Sequence, residues 1–212
     1  MKLLIFGATG GTGKLVVQQA LRKGYEVTAF VRNPAKLALS DAKLNIVAGD
    51  ILQPSSIDLV MPGHDAVMCC IGAPANKAFT LRSEGTKNIM ASMKKYGVER
   101  FICQTSLGFD DSEIILRNTP FIFRKIIVPF LLKTTFAEHA IQEKYITQSD
   151  LNWTIVRPGN MTNANLSGHY KHGFAYSDKS VTVKIARADV AHFMLEQLGS
   201  NNYHRRITGI SY

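Results

Sequence analysis

Gly7-Ala8-Thr9-Gly10-Gly11-Thr12-Gly13 is the stretch on which the reading of this sequence turns. The apolar run Lys2–Phe6 leads into it and an amphipathic pattern over 12–23 leaves it, so the glycines stand between a strand and a helix. Spaced as G-x-x-G-x-x-G, they remove the Cβ atoms that would block a sharp turn and let a ligand approach the backbone. A helix beginning there presents free N–H groups and the positive end of its dipole, which suits a pyrophosphate. Glycines alone are a weak signal, but a strand–loop–helix setting at the head of an alternating chain predicts a dinucleotide site rather than an ordinary glycine turn.

Outward from the loop, apolar runs of strand length recur at Glu26–Val31, Leu44–Ala48, 65–71, 99–105 and 152–156, with helical patterns over 54–60, 80–96, 134–149 and 187–198 and a short helix near Pro34. Strands apolar at every position are buried on both faces, whereas a half-exposed antiparallel strand alternates. The prediction is an α/β fold: a doubly wound parallel sheet, Rossmann-like, with helices on both faces and residues 1–212 in one domain. Gly7, Thr9, Gly10, Gly11, Thr12 and Gly13 are then the first cofactor-binding candidates. Val31-Arg32-Asn33-Pro34-Ala35-Lys36 ends the second strand where an NAD-selective site usually places an acid. Arg32 and Lys36 suit a 2′-phosphate instead, so NADP is the expected cofactor, a solvated basic turn being the plain alternative. Asp50 and Ile51 after the third strand, and Ile71, Gly72 and Ala73 after the fourth, extend the expected cofactor crevice.

The 212 residues are 46% hydrophobic and 19% charged, enough for a sizeable core and too apolar for a disordered tail. No uncharged apolar run approaches the roughly 18 residues of a transmembrane helix. A net charge of +9 invites anionic partners, yet the basic residues are dispersed with no aromatic-basic reading motif, so no nucleic acid is expected. Cys69, Cys70 and Cys103 fit neither a disulfide framework nor a metal site and read as core residues in a reducing cytoplasm. Gly7 and Thr9 arrive before an export signal's apolar stretch could form, so the expected location is cytoplasmic. His169, His172, His192 and His204 lack metal-ligand spacing with acids, and no metal is expected.

One segment breaks the alternation. Residues 109–133 are apolar and basic together, with Phe121, Ile122, Phe123, Ile126, Phe130 and Leu131 beside Arg117, Arg124, Lys125 and Lys133. A pair of short helices packed on the core is one reading, and Pro120 and Pro129 argue against a single long helix. A lid over a planar substrate, a dimer surface or a membrane-surface patch are the others. The oligomeric expectation is a monomer or homodimer.

The opening GATGGTG, the VRNP turn at 31–34, Gly49-Asp50, SEGTKNI at 83–89 and WTIVRPG at 153–159 together resemble the atypical short-chain dehydrogenase/reductases. Within them the sequence is similar, over 1–196, to the NAD(P)H-binding, NmrA-like branch that includes biliverdin and flavin reductases. The resemblance implies one Rossmann-like domain with NADPH in the groove and a substrate pocket from 157–180. It also places a Ser beside the nicotinamide, which makes Ser106 a catalytic candidate, with a strand-end Ser satisfying loop backbone as the alternative. Thr105 adjoins it, Pro158 and Gly159 suit a turn whose backbone reaches the nicotinamide, and Phe109, Asn160 and Met161 are substrate-side candidates.

Most short-chain dehydrogenases pair Tyr with Lys four residues on. Here Tyr25, Tyr96, Tyr145, Tyr170, Tyr176 and Tyr203 are followed at that spacing by Ala29, Arg100, Ser149, Phe174, Ser180 and Ile207, and Tyr212 is the last residue. Counting back from WTIVRPG, the Lys position holds His139 and the Tyr position Thr135. His139 is therefore a second catalytic candidate, able to face the nicotinamide or donate a proton with a pKa near 6.5, a structural His being the alternative. The biliverdin-reducing relatives carry another His where this sequence has Asn160, which counts against biliverdin. The expectation is an NADPH-dependent oxidoreductase passing hydride to a planar acceptor such as a flavin or quinone, with flavin as substrate rather than bound cofactor. A redox-sensing NADP-binding protein with little catalysis is the alternative.

Overall fold

The computed structural model describes residues 1–72 and 80–212. Strands β1 (Lys2–Phe6), β2 (Glu26–Val31), β3 (Leu44–Ala48), β4 (Ala66–Cys69), β5 (Arg100–Gln104) and β6 (Asn152–Pro158) alternate with α1 (Gly11–Arg22), α2 (Pro54–Asp58), α3 (Leu81–Tyr96) and α4 (Lys133–Thr147). After them come β7 (Asn160–Thr162), β8 (Lys171–His172), β9 (Lys184–Ala186), α5 (Arg187–Glu196) and β10 (Arg206–Ser211). Among the described residues eight strands form one sheet in the order β3-β2-β1-β4-β5-β6-β10-β8, parallel except where β8 runs against β10, while β7 and β9 pair separately. This is the doubly wound, Rossmann-like arrangement the sequence predicts.

The continuous apolar character of the strands has a direct structural cause. Leu3 and Ile5 of β1 bury on one face with Val16, Val17 and Ala20 of α1 and Val190, Ala191 and Met194 of α5. Leu4 and Phe6 bury on the other with Ile57, Ile89, Met93 and Ile146 from α2, α3 and α4. Alternate side chains thus enter two separate apolar layers, and polar residues buried in the strands, such as Thr154 and Arg157, are hydrogen-bonded there. β10 escaped the sequence reading because Arg206, Thr208, Gly209 and Ser211 interrupt its two isoleucines, although it pairs with β6 in register from Arg206↔Thr154 to Ile210↔Pro158.

The insertion divides. Its first half is a 3₁₀ segment, Asp110–Asn118, that buries Ser112, Ile115 and Leu116, as expected for packing on the core. Its second half differs from expectation: residues 121–147 form one uninterrupted helix whose opening part, Phe123–Leu132, is π-helical and has no buried residue. Pro120 lies just outside the helix, but Pro129 lies within it. In an α-helix its ring would press on the carbonyl four residues back. A π-helical segment carries each bond to the fifth residue instead, and the chain continues.

Arg157, at the end of β6, pins this region. It is buried, and its Nε and Nη2 donate to both carboxylate oxygens of Glu143 on α4 at 3.0 and 2.6 Å. Its Nη1 donates to Asp111 of the insertion, and its guanidinium carbon stands 4.8 Å from the Phe109 ring centroid. A buried guanidinium is tolerated only while its partners compensate the lost hydration. Glu143 is buried with it, whereas the Asp111 side chain is 68% exposed. Glu143→Ala is therefore expected to destabilise the fold by about 3–5 kcal/mol, and Asp111→Ala by about 1 kcal/mol or less. Urea unfolding of the two variants measures the difference, and equal losses would contradict this account.

Candidate active site

The turns singled out in the sequence lie at the carboxyl ends of the parallel strands, and the strand order reverses between β1 and β4, where a crevice opens. Gly7 adopts φ +79°, and a Cβ there would strike the Cys70 carbonyl, while one on Gly13 would strike the Gly7 carbonyl. A bond from the Gly10 N–H to the Gly7 carbonyl, 2.9 Å, closes the turn. Among the described residues no side chain caps α1 and its first turn holds no acid. The leading N–H groups and the dipole end are left for an anion.

A cleft of about 390 Å³ lies over this turn, walled by Gly7, Thr9, Gly10, Gly11 and Thr12 together with Phe30, Val31, Arg32, Gly49, Ile51, Cys70, Ile71 and Gly72. A second, also about 390 Å³, is walled by Thr105, Ser106, Leu107, Phe123, Ile127, Phe136, His139, Gly159 and Asn160. Both include Ile71, Gly72, Gln104, Met161 and Arg187, so they are two halves of one groove. Several expected site residues stand outside these walls. Gly13 lies beneath the turn and Lys36 is exposed beyond it. The Asp50 carboxylate accepts from the Leu52 N–H at 2.9 Å, and Pro158 is buried within β6. Phe109, expected on the substrate side, is instead buried and does not line the groove, its ring 6.1 Å from that of His139 and tilted only 14° to it. Ala73 lies outside the described residues.

Two hydroxyls of the second half have protein partners. Thr105 Oγ1 donates to Glu143 at 2.6 Å, and Ser106 Oγ to the Leu107 carbonyl at 3.1 Å. His139 Nδ1 meets Gln142 Oε1 at 2.9 Å, while Gln142 Nε2 donates to Thr86 Oγ1 at 2.8 Å. That network assigns the proton to Nδ1 and leaves Nε2 as an acceptor. Burial, reinforced by the nearby Arg82 charge, lowers the His139 pKa from 6.5 to about 4. The ring is neutral at neutral pH, and the expectation of a proton donor titrating near 6.5 does not hold.

Sequence reasoning misses Arg187. It opens α5, a position where the helix dipole disfavours a cation, and that mismatch is the signal that could have exposed it. Its Nη1 donates to the Met161 carbonyl at 3.1 Å and to Asn163 Oδ1 at 2.7 Å, and its side chain crosses the space beside bare Gly11. The guanidinium adds positive charge beside the N-terminus of α1, where the helix dipole already favours an anion. On the same helix, buried Asp189 accepts from Ser167 and Gly168 N–H at 3.0 and 2.8 Å and from the Tyr212 hydroxyl at 2.6 Å, fixing the rim loop beyond β7.

The sequence profile of a family described as NAD(P)H-binding matches residues 7–201. The chain is 33% identical over 178 residues to a chloroplastic protein of Arabidopsis thaliana named as uncharacterised, covering 79% of this chain and 62% of that protein. It is 28% identical over 161 residues to photosystem II assembly factor Ycf39 of Synechocystis, covering 74% and 44%. The chain thus spans about half the length of the curated relatives it matches. ChuY of Escherichia coli O157:H7, described as an anaerobilin reductase, superposes with a TM-score of 0.81 at 20% identity over 100% of this chain and 97% of its own.

The depressed pKa of His139 sets a pH response. Since the folded value, about 4, lies below the 6.5 of the unfolded chain, the unfolded state takes up the proton first as pH falls. The stability it contributes is complete above pH 6.5 and is lost as pH drops toward 4. NMR of the ring carbons should give a midpoint near 4 for His139, and a midpoint near 6.5 would refute the assignment.

Proposed function

The chain belongs to the NAD(P)H-binding family, and from that membership we propose an NADPH-dependent reductase that delivers hydride to a planar acceptor such as a flavin or a quinone. The observation that carries the proposal is the groove in two open halves, one over the glycine turn and one over Ser106 and His139. A sensor with no acceptor has no need of the second half. The first half fits a dinucleotide by its own geometry: a Cβ at Gly7 or Gly13 would fill the cradle, α1 begins uncapped, and Arg187 stands beside it. Arg32 on the cleft wall, with no acid at the end of β2, supports NADP over NAD. Lys36, outside the wall, contributes only longer-range attraction.

Bound NADPH supplies the hydride, and the acceptor completes a two-electron reduction with one proton from water. The protein's part is positioning. Gly72, Gln104 and Met161, shared by both halves, set where the reacting rings meet. His139 Nε2 accepts a hydrogen bond from an N–H or O–H of the acceptor and holds its orientation, without giving up a proton. Phe136, Leu116 and Leu107 give the slot apolar walls that favour a flat ring system and exclude water. The absence of a Tyr-x-x-x-Lys pair fits chemistry that asks little acid–base work of the protein. The fold similarity to an anaerobilin reductase adds a linear tetrapyrrole to the acceptors worth testing. Three buried free cysteines agree with a reducing, cytoplasm-like compartment.

Steady-state NADPH oxidation with FMN, riboflavin, short-chain quinones and anaerobilin tests the proposal. Turnover above background on at least one acceptor is expected. Tight NADP binding with no turnover on any of them would favour the sensor instead. Arg32→Ala should weaken NADPH binding by roughly tenfold or more while leaving NADH binding nearly unchanged, as loss of a charged hydrogen bond to a 2′-phosphate requires. Fluorescence titration of both cofactors measures that ratio.

A further inference from the structure

Among the residues of the long helix, Phe123, Ile127 and Leu132 face the acceptor half of the groove. Elsewhere on the same segment Phe121, Ile122, Ile126, Phe130 and Leu131 lie in solvent, with Phe130 79% and Phe121 66% exposed. So many large apolar side chains on one short segment exceed the scattered exposure of an ordinary surface. No Asp or Glu occurs from Ile114 to Ala137, whereas Arg117, Arg124, Lys125 and Lys133 do. The Arg124 guanidinium lies 6.0 Å from the Phe121 ring centroid, so charge and aromatic surface are interleaved.

The charge pattern selects the occupant of this face. A second copy of the chain would bring the same cations against one another across a twofold axis, a repulsive arrangement. An anionic bilayer meets both features at once: the aromatic and aliphatic side chains enter the boundary between headgroups and acyl chains, and the cations meet lipid phosphates. No described helix is long and apolar enough to cross a membrane, so the contact is with its surface. We propose that this helix face docks the protein on anionic membranes, with the acceptor half of the groove beside the bilayer, so that the acceptor reaching it is lipophilic. The docking stands independently, and only the nature of the acceptor rests on the reductase reading.

Co-sedimentation of the full chain with phosphatidylcholine vesicles, alone and with phosphatidylglycerol, tests it. Binding is expected to the mixed vesicles, to weaken with salt, and to fall about fivefold for each of Lys125→Gln and Lys133→Gln. The double variant Ile126→Glu/Phe130→Glu, neither residue lining the groove, should lose vesicle binding while keeping its melting temperature and NADPH affinity. A folded wild type that ignores the mixed vesicles overturns the proposal, as does a wild-type dimer in ultracentrifugation that the same double variant dissociates. A vesicle-dissolved long-chain quinone separates the two readings. Its turnover should drop in the double variant while riboflavin turnover does not. Vesicle binding with no NADPH oxidation on any acceptor would leave docking standing and remove the reductase.

Discussion

Two missing Cβ atoms govern this architecture. The chain leaving β1 passes against the Cys70 carbonyl at Gly7 and then folds α1 back against the Gly7 carbonyl at Gly13. A side chain at either point would push α1 away from β1 or β1 away from β4. With them in place, Val16, Val17 and Ala20 sit against Val190, Ala191 and Met194, and α5 is held beside α1. That seating carries Arg187 to the mouth of the glycine turn. Glycine turn, strand crossover and helix packing are therefore one constraint expressed three times, and its origin is backbone approach rather than any side-chain contact.

What was legible in the sequence followed from periodicity and from residues next to strand ends. Predominantly apolar runs marked β1 to β6; β1, β4, β5 and β6 are buried along most of their length, while edge strand β3 is only partly covered and was legible from Leu44, Ile46 and Val47. β10 was not legible because it mixes Arg206, Thr208 and Gly209 with its isoleucines, and β7 to β9 are too short for any period to register. Arg32 and the glycine turn could be placed because their setting is local. Arg187 and the Arg157–Glu143–Asp111 linkage could not, because each acquires its meaning from segments that meet only in the folded chain. His139 was found by its offset from WTIVRPG. Its protonation depends on burial and on Arg82, which no spacing reveals.

Behind the second half of the groove, polar groups are committed to one another. Thr105 bonds Glu143, Glu143 grips Arg157, and Arg157 in turn faces Phe109 and Tyr176. Burial disfavours the charged form of Arg157, but the carboxylates of Glu143 and Asp111 outweigh it and keep the guanidinium charged. These three residues have little left to donate to the groove. Shape and apolar contact, more than proton supply, are what such a wall presents to a ligand, and the neutral imidazole of His139 belongs to the same pattern.

The antiparallel strand β8 has an effect out of proportion to its two residues. Paired with Ile210 and Ser211, and extended by bonds from Gly173 to Gly209 and from Thr182 to Tyr212, it covers the outer rim of β10. The opposite rim, β3, has only β2 as a strand partner among the described residues. Both end strands, β3 and β8, have a single strand partner among the described residues, but β8 is two residues long, so the longer free edge of the sheet is Leu44–Ala48.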